Sequence, residues 1–367
     1  MKTQSLKKIY INGRFLTQPI TGVQRCALEL IKALDKYITE HSAEMSQFDF
    51  TCLVPPNFQS TSFQKWKNIS TQKVGKSSGN LWEQIELPFY SQSGLLLCLC
   101  NIGPILSFNQ VVIMHDASVF AVPEAYSFMF KLKYRFIMRI LGITARLVIT
   151  DSQFSKSELI KYLKIKQEKI TVNTLGSEHI LESNADNLVF EKNNLPKKPF
   201  ILTVGSSSPH KNIGRLISSF AKIDTDIDLI IVGGKYSKVF KKVEEKEEKN
   251  IIRLGYVTDA ELRALYEKAI FLVIPSYYEG FGFPPLEAMA CGCPVISSNR
   301  ASLPEVGGDA VLYFDPENVQ EMSEKISLLI SDPSLREPQI KSGYEQVKLF
   351  NWKKTAEQFV EIIQRSL

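Results

Sequence analysis

Apolar residues follow two alternating patterns along the chain. Short runs that are apolar at nearly every position are typical of strands in a parallel sheet covered on both faces. Between several of these runs the apolar residues are spaced three and four apart, which is typical of helices, most clearly in GVQRCALELIKALDKYI. In the first half of the chain the pattern predicts strands at KIYING, FDFTCLVP, LLLCLC, VVIMHD, ARLVITDS and KITVNTLG.

A second series of the same kind begins near residue 199. Its predicted strands are FILTVGS, DLIIVGG, NIIRLGYV, IFLVIPS, PVISS and AVLYF, and its helices include NIGRLISSFAKI, KVFKKVEEKEEK and DAELRALYEKA. We therefore predict an α/β protein with two Rossmann-like, doubly wound parallel-sheet domains, residues 1–180 and 199–345. A linker rich in Asn, Lys and Glu is predicted at 181–198, and a helical region at 346–367. Open parallel sheets bind ligands at the carboxyl ends of their strands, so candidate residues are expected there.

Composition places the chain among ordinary globular proteins. Of its 367 residues, 44% are apolar and 23% are charged, which allows a sizeable core. The six cysteines lack the spacing of metal sites or disulfide frameworks, so we expect reduced thiols in a cytoplasmic protein. The first residues, MKTQSLKKIYINGRF, lack the apolar region of a signal peptide, and no apolar run reaches the ~18 residues that span a bilayer.

Positive charge is concentrated in the first half of the chain. Residues 1–180 hold 21 Lys and Arg against 13 Asp and Glu, whereas the remainder holds 23 against 26. Such a surface either is simply solvated or meets an anionic partner. Residues 126–142 combine aromatic and basic side chains, which fits a buried helix whose basic residues reach outward, or a surface that meets anionic membrane or a lipid-diphosphate acceptor. No nucleic-acid recognition module is visible, so no nucleic-acid partner is expected.

The stretch VGSSSPHKN, residues 204–212, is a candidate anion site. A predicted strand ends at Gly205, small residues follow, and Lys211 lies near the start of the next helix. Loop amides, a helix start and a lysine together bind phosphate groups, although an ordinary strand-to-helix turn has the same composition. The stretch does not match the phosphate loop of nucleoside triphosphatases, and no dinucleotide-binding glycine pattern follows a strand.

The stretch EGFGFPPLE, residues 279–287, places two carboxylates around a turn that follows a predicted strand. Pro284 or Pro285 suits the start of a helix, which would put Glu287 in its first turn, and Gly292 suits the end. Carboxylates such as Glu279 and Glu287 are good acceptors for the vicinal hydroxyls of ribose or a sugar. The alternative is that Glu287 only stabilises the helix start and that Glu279 is a surface residue.

The sequence DTDID, residues 224–228, contains the aspartate spacing of some metal-dependent transferases. It precedes a predicted strand instead of following one, which places it at the edge of the sheet away from the expected ligands. We interpret it as a solvated turn and predict no metal.

Taken together, these stretches resemble the family 4 retaining glycosyltransferases, which have the GT-B fold of two domains facing across a cleft. The resemblance is carried by PSYYEGFGFPPLEAMACGCPVISSN and SLPEVGGDAVLYFDP, and by TGVQRCALELIKAL, LWEQIELP, VVIMHDASVFAVPE, VITDSQFSKSEL, GSSSPHKNIGRLISSF, LGYVTDAELRALYEKA and NWKKTAEQF, in the expected order. It therefore extends over nearly the whole chain. Bacterial mannosyl- and rhamnosyltransferases of O-antigen and exopolysaccharide synthesis are the most similar members.

The resemblance implies a hexose transfer from a nucleotide-diphosphate sugar, with GDP-mannose favoured, to a glycan or polyprenyl-diphosphate-linked acceptor. It implies no cofactor and no metal, and a last helix that crosses back to the N-terminal domain. With the basic first half, it suggests peripheral contact with an anionic inner membrane through that domain. The implied catalytic residues are His115, Glu279 and Lys211. The implied donor-binding residues are Gly22, Gly205, Ser206, Lys211, Tyr256, Val257, Gly282, Phe283 and Glu287.

Particular roles follow from the same resemblance. Glu287 would bind the donor ribose, Glu279 the sugar hydroxyls and Lys211 the diphosphate, while His115, at a strand end of the first domain, would point at the donor sugar. The chain departs from the family by having Ser206 and His210 where relatives commonly have arginine. Two other functions fit the same fold: a non-catalytic donor-binding subunit, and a nucleotide-sugar epimerase.

Overall fold

The computed structural model of the chain describes residues 6–59, 66–234 and 250–367. Contacts within the chain divide it into two compact units. Unit 1 comprises Met1–Ala117, Leu132–Leu175 and Trp352–Leu367, and unit 2 comprises Ser118–Lys131 and Gly176–Asn351. The chain therefore passes through unit 2 at Ser118–Lys131, enters it again at Gly176 and returns to unit 1 at Trp352.

In the described part of the chain each unit holds one β-sheet, and all the strands of these two sheets pair in parallel. Unit 1 holds seven of them in the order β3-β2-β1-β4-β5-β6-β7, and unit 2 holds six in the order β10-β9-β8-β11-β12-β13. The strands are β1 (Lys7–Asn12), β2 (Phe48–Val54), β3 (Ile69–Lys73), β4 (Leu95–Cys98), β5 (Gln110–Ile113), β6 (Leu147–Thr150), β7 (Ile170–Val172), β8 (Phe200–Val204), β9 (Asp228–Val232), β10 (Ile251–Gly255), β11 (Leu272–Ile274), β12 (Val295–Ser298) and β13 (Val311–Phe314).

Helices connect these strands. They are α1 (Gly22–Glu40), α2 (Ser42–Met45), α3 (Gly79–Leu81), α4 (Leu87–Ser91), α5 (Ser118–Ala121), α6 (Phe128–Thr144), α7 (Gln153–Leu163), α8 (Leu188–Lys192), α9 (Ile213–Phe220), α10 (Asp259–Lys268), α11 (Phe283–Ala290), α12 (Leu303–Gly307), α13 (Val319–Ser331), α14 (Arg336–Val347) and α15 (Trp352–Arg365). Between α3 and α4 the residues Trp82–Glu86 form a π-helical segment.

The predicted two-domain α/β architecture is confirmed, and all twelve strands predicted from apolar runs are present. The pattern missed β3, a strand at the edge of its sheet in which only Ile69 is buried. An edge strand that leaves one side to solvent has no apolar run to detect. The predicted charged helix at 238–249 lies outside the described residues.

Helix α15 belongs to unit 1, although it follows unit 2 in sequence. It packs against α1, whose buried face includes Cys26, Leu30 and Leu34. Thr355 on α15 donates a hydrogen bond to the carbonyl of Thr174 at 2.7 Å, so the helix is also fixed to the end of the sheet.

Residues 181–198, predicted to be a linker, hold helix α8 and bind to unit 2. The amide of Asp186 donates to the carbonyl of Ala260, and Lys192 pairs with Glu261 at 3.1 Å. Because these bonds fix the segment to α10, it is part of unit 2 instead of a free connection.

For residues 126–142, which include most of helix α6, two alternatives were predicted: a buried helix with basic residues reaching outward, or a surface that meets a membrane or a lipid-linked acceptor. The buried residues of α6 are Ile137, Met138, Leu141 and Gly142. Large apolar side chains on its other side are exposed: Phe128, Met129, Leu132, Phe136 and Ile143. The buried-helix interpretation is therefore wrong for most of the helix.

Among the described residues, no helix combines the length and the apolar character needed to cross a membrane. All six cysteines are free thiols, four of them buried.

Candidate functional site

Lys211 and Glu279, distant in sequence, form an ion pair in unit 2. Lys211 ends a 3-10 turn after β8, and Glu279 lies in the loop after β11, the neighbouring strand. Because parallel neighbours end at the same edge, the two loops meet there. The ammonium Nζ of Lys211 lies 2.7 Å from Oε1 and 2.9 Å from Oε2 of Glu279.

The loop that carries Glu279 is fixed on both sides. Ser276 donates a hydrogen bond to Oε1 of Glu279 at 2.7 Å, and the buried Ser302 bonds to the carbonyls of Glu279 and Phe281 at 2.9 and 2.6 Å. Burial alone would raise the pKa of the Glu279 carboxyl, but the charge and hydrogen bond of Lys211, with the Ser276 hydroxyl, lower it. Glu279 is therefore a fixed carboxylate at neutral pH.

Glu287 lies in the second turn of α11, not in the first turn as predicted. The helix begins at Phe283, because Gly282 at φ +119° forms the N-cap, and Glu287 is then its fifth residue. Its carboxylate is buried and accepts hydrogen bonds on both oxygens, from Nε2 of His179 at 2.9 Å and from the hydroxyl of Tyr266 at 3.0 Å. Gly292 follows the end of the helix at φ +71°, as predicted.

Aromatic rings connect Glu287's partner to the turn between the two glutamates. The ring of His179 lies 5.6 Å from that of Phe283, which lies 5.7 Å from Phe281. Phe281 in turn contacts Phe350 at 5.8 Å, one residue before the last residue of unit 2. His179, shortly after the chain enters unit 2 at Gly176, and Phe350, shortly before it leaves at Asn351, are thus both connected by ring contacts to the turn 279–287.

The strands β8, β9 and β10 each end at a glycine. Gly205 and Gly233 follow β8 and β9, and Gly255 is the last residue of β10. The backbones approach closely, since a Cβ on Gly233 would lie 2.1 Å from the carbonyl oxygen of Gly205. A small depression beside them is lined by Gly205, Ser207, Ile213, Ile231, Gly233, Arg253 and Gly255.

Other predicted donor-binding residues lie at the same edge. Ser206 follows Gly205, and Tyr256 and Val257 follow Gly255, with the Tyr256 side chain largely exposed. Arg215 lies over the ring of Tyr277, with 5.3 Å between its guanidinium carbon and the ring centroid.

In unit 1, His115 lies just beyond β5 and is buried. Its Nδ1 lies 2.6 Å from Oδ2 of Asp151, and its Nε2 lies 3.1 Å from the carbonyl oxygen of Leu99. Burial would lower the pKa of the imidazole, but the carboxylate of Asp151, with Cys26, raises it well above its ordinary value. Both ring nitrogens of His115 thus lie beside oxygen acceptors in unit 1, an arrangement that favours the protonated imidazole. Its contact with a donor sugar stays a prediction.

In the described part of the chain, one group of side chains could hold a metal ion by its spacing: Cys26, His115 and Asp151. Their possible ligand atoms lie within 4.8 Å of one another. The 2.6 Å between His115 and Asp151 is shorter than the roughly 3.3 Å that separates neighbouring ligands around a tetrahedral zinc ion. The arrangement fits a hydrogen-bonded ion pair better than a metal site. The absence of a metal from the reaction stays a prediction.

Gly22, one of the implied donor-binding residues, is the first residue of α1, the helix predicted from GVQRCALELIKALDKYI. Thr21 and Gln24 form a capping box at this helix start, which extends the helix to residue 22. In DTDID, Asp228 begins β9 and pairs with Lys198 at 2.9 Å, whereas Asp226 is exposed. These aspartates lie at the amino end of the strand, away from Gly233.

Four residues of these arrangements were not singled out from the sequence: His179, Tyr266, Asp151 and Arg253. The partners of His179, Tyr266 and Asp151 lie 21 to 108 positions away in sequence. No local pattern marks such pairs. The strand end VITDS was the one available signal, since it placed Asp151 at the same sheet edge as His115.

Comparison with known proteins decides the family. The sequence profile "Glycosyl transferases group 1" matches residues 185–346, which include Lys211, Glu279 and Glu287. O-antigen chain mannosyltransferase B of Escherichia coli is 31% identical over 383 residues, covering 96% of this chain and 98% of that protein. The chain is a group 1 glycosyltransferase. O-antigen chain mannosyltransferase RfbU of Salmonella typhimurium is 32% identical over 237 residues, covering 63% of this chain and 64% of its own.

Solved structures agree on the fold of this glycosyltransferase. The Anabaena protein HepE in complex with UDP-glucose superposes with a TM-score of 0.72 at 16% identity, covering 98% of this chain and all of that one. WaaG, a glycosyltransferase involved in lipopolysaccharide biosynthesis, superposes with a TM-score of 0.67 at 16% identity, covering 97% and 99%. The two parallel-sheet units are therefore those of the GT-B fold, as the sequence predicted.

Proposed function

We propose that this glycosyltransferase moves mannose from GDP-mannose to a glycan or polyprenyl-diphosphate-linked acceptor in bacterial surface polysaccharide synthesis. The proposed transfer retains the anomeric configuration and needs no metal. Relatives named as O-antigen mannosyltransferases support the sugar and the acceptor class. The observation that carries the proposal is the pairing of Lys211 with Glu279 at the carboxyl ends of β8 and β11.

In this proposal, different residues of unit 2 bind different parts of the donor. Lys211 neutralises the diphosphate, Glu279 accepts hydrogen bonds from sugar hydroxyls, and Glu287 accepts them from the ribose. The backbone at Tyr256 and Val257 lines the base, and the amides of Gly282 and Phe283 approach the sugar and diphosphate. The lack of a side chain at Gly233 lets the backbone of Gly205 pack closely against it, at the sheet edge where the donor is proposed to bind.

The departure of the diphosphate is the step that the residues of unit 2 are proposed to assist. Negative charge grows on the leaving phosphate as the bond from the sugar breaks, and a fixed cation there stabilises the transition state more than the bound donor. Lys211 is suited to this role because Glu279 holds its ammonium in place. The acceptor hydroxyl can pass its proton to the leaving phosphate, so no separate base is required. We assign His115 a positioning and electrostatic role, since its pKa is raised by Asp151 and it is a poor base.

Two measurements test the proposal on the full chain. A thermal-shift series with GDP-mannose, UDP-glucose, UDP-N-acetylglucosamine, dTDP-rhamnose and the free nucleotides, with and without Mg²⁺, should single out the guanine nucleotides without metal. A ligand at 100 times its dissociation constant stabilises by roughly 2.7 kcal/mol, which is readily seen. Glu287→Ala should lose the shift, whereas Glu317→Gln, a change at an exposed carboxylate of the same unit, should keep it.

Transfer itself needs a second assay. Radiolabelled mannose from GDP-mannose should appear in lipid extracts of membranes from a polysaccharide-producing bacterium only with the wild-type chain. Donor binding without transfer to any acceptor would favour the non-catalytic subunit, and donor conversion without acceptor would favour the epimerase. A shift by another nucleotide class alone would overturn GDP-mannose as the donor.

A further inference from the structure

Arg253 is a half-buried arginine near the carboxyl end of β10. Its backbone pairs with Ile231 of β9, and Gly255 ends the strand two positions later. Among the residues that the structure describes, none forms a hydrogen bond or an ion pair with the guanidinium of Arg253. A guanidinium that is partly withdrawn from water and has no acceptor there is suited to bind an anionic ligand.

Arg253 lines the same depression as the loop that follows β8, although β9 lies between the two strands. On the loop side the lining includes Gly205 and Ser207. The residue after β9 is Gly233, which has no side chain and whose backbone packs closely against Gly205. No side chain of residue 233 therefore separates Arg253 from the loop, and Arg253 is the one charged residue among the described residues of the lining.

The loop after β8 also contacts Lys211. A Cβ on Gly205 would lie 3.5 Å from Cδ, 3.6 Å from Cγ and 3.7 Å from Cβ of Lys211, so this side chain runs along the glycine. Gly205 thus borders both the Lys211 side chain and the depression that Arg253 lines. Two cationic residues therefore lie beside one short stretch of backbone.

The two cations differ in how far their charge is already compensated. Lys211 is paired with Glu279 at 2.7 Å, so that these two residues together carry no net charge. Ser206 and Ser207, which follow Gly205, are uncharged. The charge of Arg253 has no carboxylate partner among the described residues. A negatively charged diphosphate at this edge of the sheet would be attracted by Arg253 more than by the neutral ion pair.

We infer that Arg253 binds the diphosphate of the donor and supplies the net positive charge that the pair of Lys211 and Glu279 lacks. The planar guanidinium can donate two parallel hydrogen bonds to phosphate oxygens, which also orients the diphosphate. The inference rests on the proposed donor site at this edge of unit 2. It does not depend on which base or which sugar the donor carries.

The test compares a nucleoside diphosphate with its nucleoside, each titrated calorimetrically into the full chain. The two pairs are GDP with guanosine and UDP with uridine. Arg253→Gln should weaken binding of the preferred diphosphate by roughly tenfold or more, because hydrogen bonds to a charged group are lost. Binding of the nucleoside should be nearly unchanged, since it has no phosphate. Added salt should weaken diphosphate binding more in the wild type than in the variant.

A matched control removes the same charge elsewhere in unit 2. Lys268 is exposed at the end of α10, the helix that leads from the carboxyl end of β10 to the start of β11. Lys268→Gln should leave the binding of both ligands unchanged. Circular dichroism and thermal unfolding check that each variant folds. Should Arg253→Gln not fold, Arg253→Lys still decides: it keeps the charge but not the planar fork, and should weaken diphosphate binding by roughly threefold.

Two results would overturn the inference alone. In the first, folded Arg253→Gln binds the diphosphate as tightly as the wild type, or loses affinity for diphosphate and nucleoside equally. In the second, Arg215→Gln loses diphosphate binding and Arg253→Gln does not, which would assign the role to an arginine of α9. A wild type that prefers UDP would instead overturn GDP-mannose as the donor, and UDP with uridine would then decide the role of Arg253. A wild type that binds neither diphosphate would overturn both proposals.

Discussion

Lys211 binds both carboxylate oxygens of Glu279. These two residues, both proposed to contact the donor, are therefore already paired with each other. A phosphate group that approaches Lys211 has to share its ammonium with this carboxylate. The pair therefore positions the lysine and at the same time weakens its attraction for a phosphate.

Replacing Glu279 with Gln should separate these two effects. GDP, which has no sugar, should bind roughly fivefold more tightly, because Lys211 regains the equivalent of about 1 kcal/mol of attraction. Mannose transfer should instead fall by about a hundredfold, since the oriented acceptor for the sugar hydroxyls is lost. Isothermal titration with GDP and a transfer assay measure the two. Lys211→Met should weaken both, and a parallel loss of GDP binding in Glu279→Gln would contradict the assignment.

The hydrogen bonds to Glu287 should control recognition of the ribose. Tyr266→Phe removes the donor to Oε2 and should cost about 1 kcal/mol of unfolding free energy. It should also reduce the preference for GDP over 2′-deoxy-GDP, because the carboxylate is no longer held for the ribose hydroxyls. His179→Asn should act in the same direction.

Binding of the two nucleotides to each variant provides the measurement. Tyr344→Phe, at an exposed position on α14, is the control and should leave the preference unchanged. Equal loss of affinity for both nucleotides in Tyr266→Phe would point to a general structural effect and away from the ribose.

The buried His115–Asp151 pair should make the stability of unit 1 depend on pH. The folded-state pKa of His115 is raised well above its ordinary value by Asp151, against the effect of burial. The stabilisation is thus fully present below the unfolded pKa of about 6.5 and is lost as pH rises through the folded pKa. Urea unfolding from about pH 6 to about pH 9 should show this decline.

His115→Gln should flatten that dependence and lower the stability at the acid end. His41→Gln, a change at a half-buried histidine on the surface of unit 1, should keep the wild-type slope. A wild type whose stability is constant over this range would argue against a charged His115.

Gly233→Ala should be disruptive and Gly214→Ala should not. A Cβ on Gly233 would meet the carbonyl oxygen of Gly205 at 2.1 Å, at a backbone φ of +147°, whereas a Cβ on Gly214 meets nothing within 4 Å. The first change should cost about 2 kcal/mol or more and abolish nucleotide binding. The second should be neutral or stabilise by up to about 1 kcal/mol. Thermal unfolding of both variants, with and without GDP, compares them, and similar melting temperatures would refute the close approach.

Features that depend on residues close together in the sequence could be predicted from it. Continuous apolar runs located the buried strands, and glycines after them located the sheet edge where Lys211 and Glu279 meet. It did not predict β3, whose residues are mostly polar because it forms a sheet edge. It also misplaced Glu287 by a turn, because the helix start depends on the backbone of Gly282 and not on the prolines that follow.

Partners distant in sequence could not be predicted. His179 was assigned to the first domain, yet it binds Glu287 108 positions away in unit 2. His115 binds Asp151, which lies 36 positions away, directly after the neighbouring strand β6. Such contacts depend on the register of parallel strands and on where a connection packs, which a single sequence does not encode locally.

Helix α15 has a consequence for synthesis of the chain. The sheet of unit 1 leaves the ribosome before residues 176–351 of unit 2, but helix α15, which packs against α1, follows them in the chain. Until α15 is made, α1 lacks this packing partner, while residues 176–351 can already fold as unit 2. The first unit to emerge is thus the last to be completed, and a nascent chain stalled before Trp352 should hold a finished second unit beside an unfinished, chaperone-binding first one.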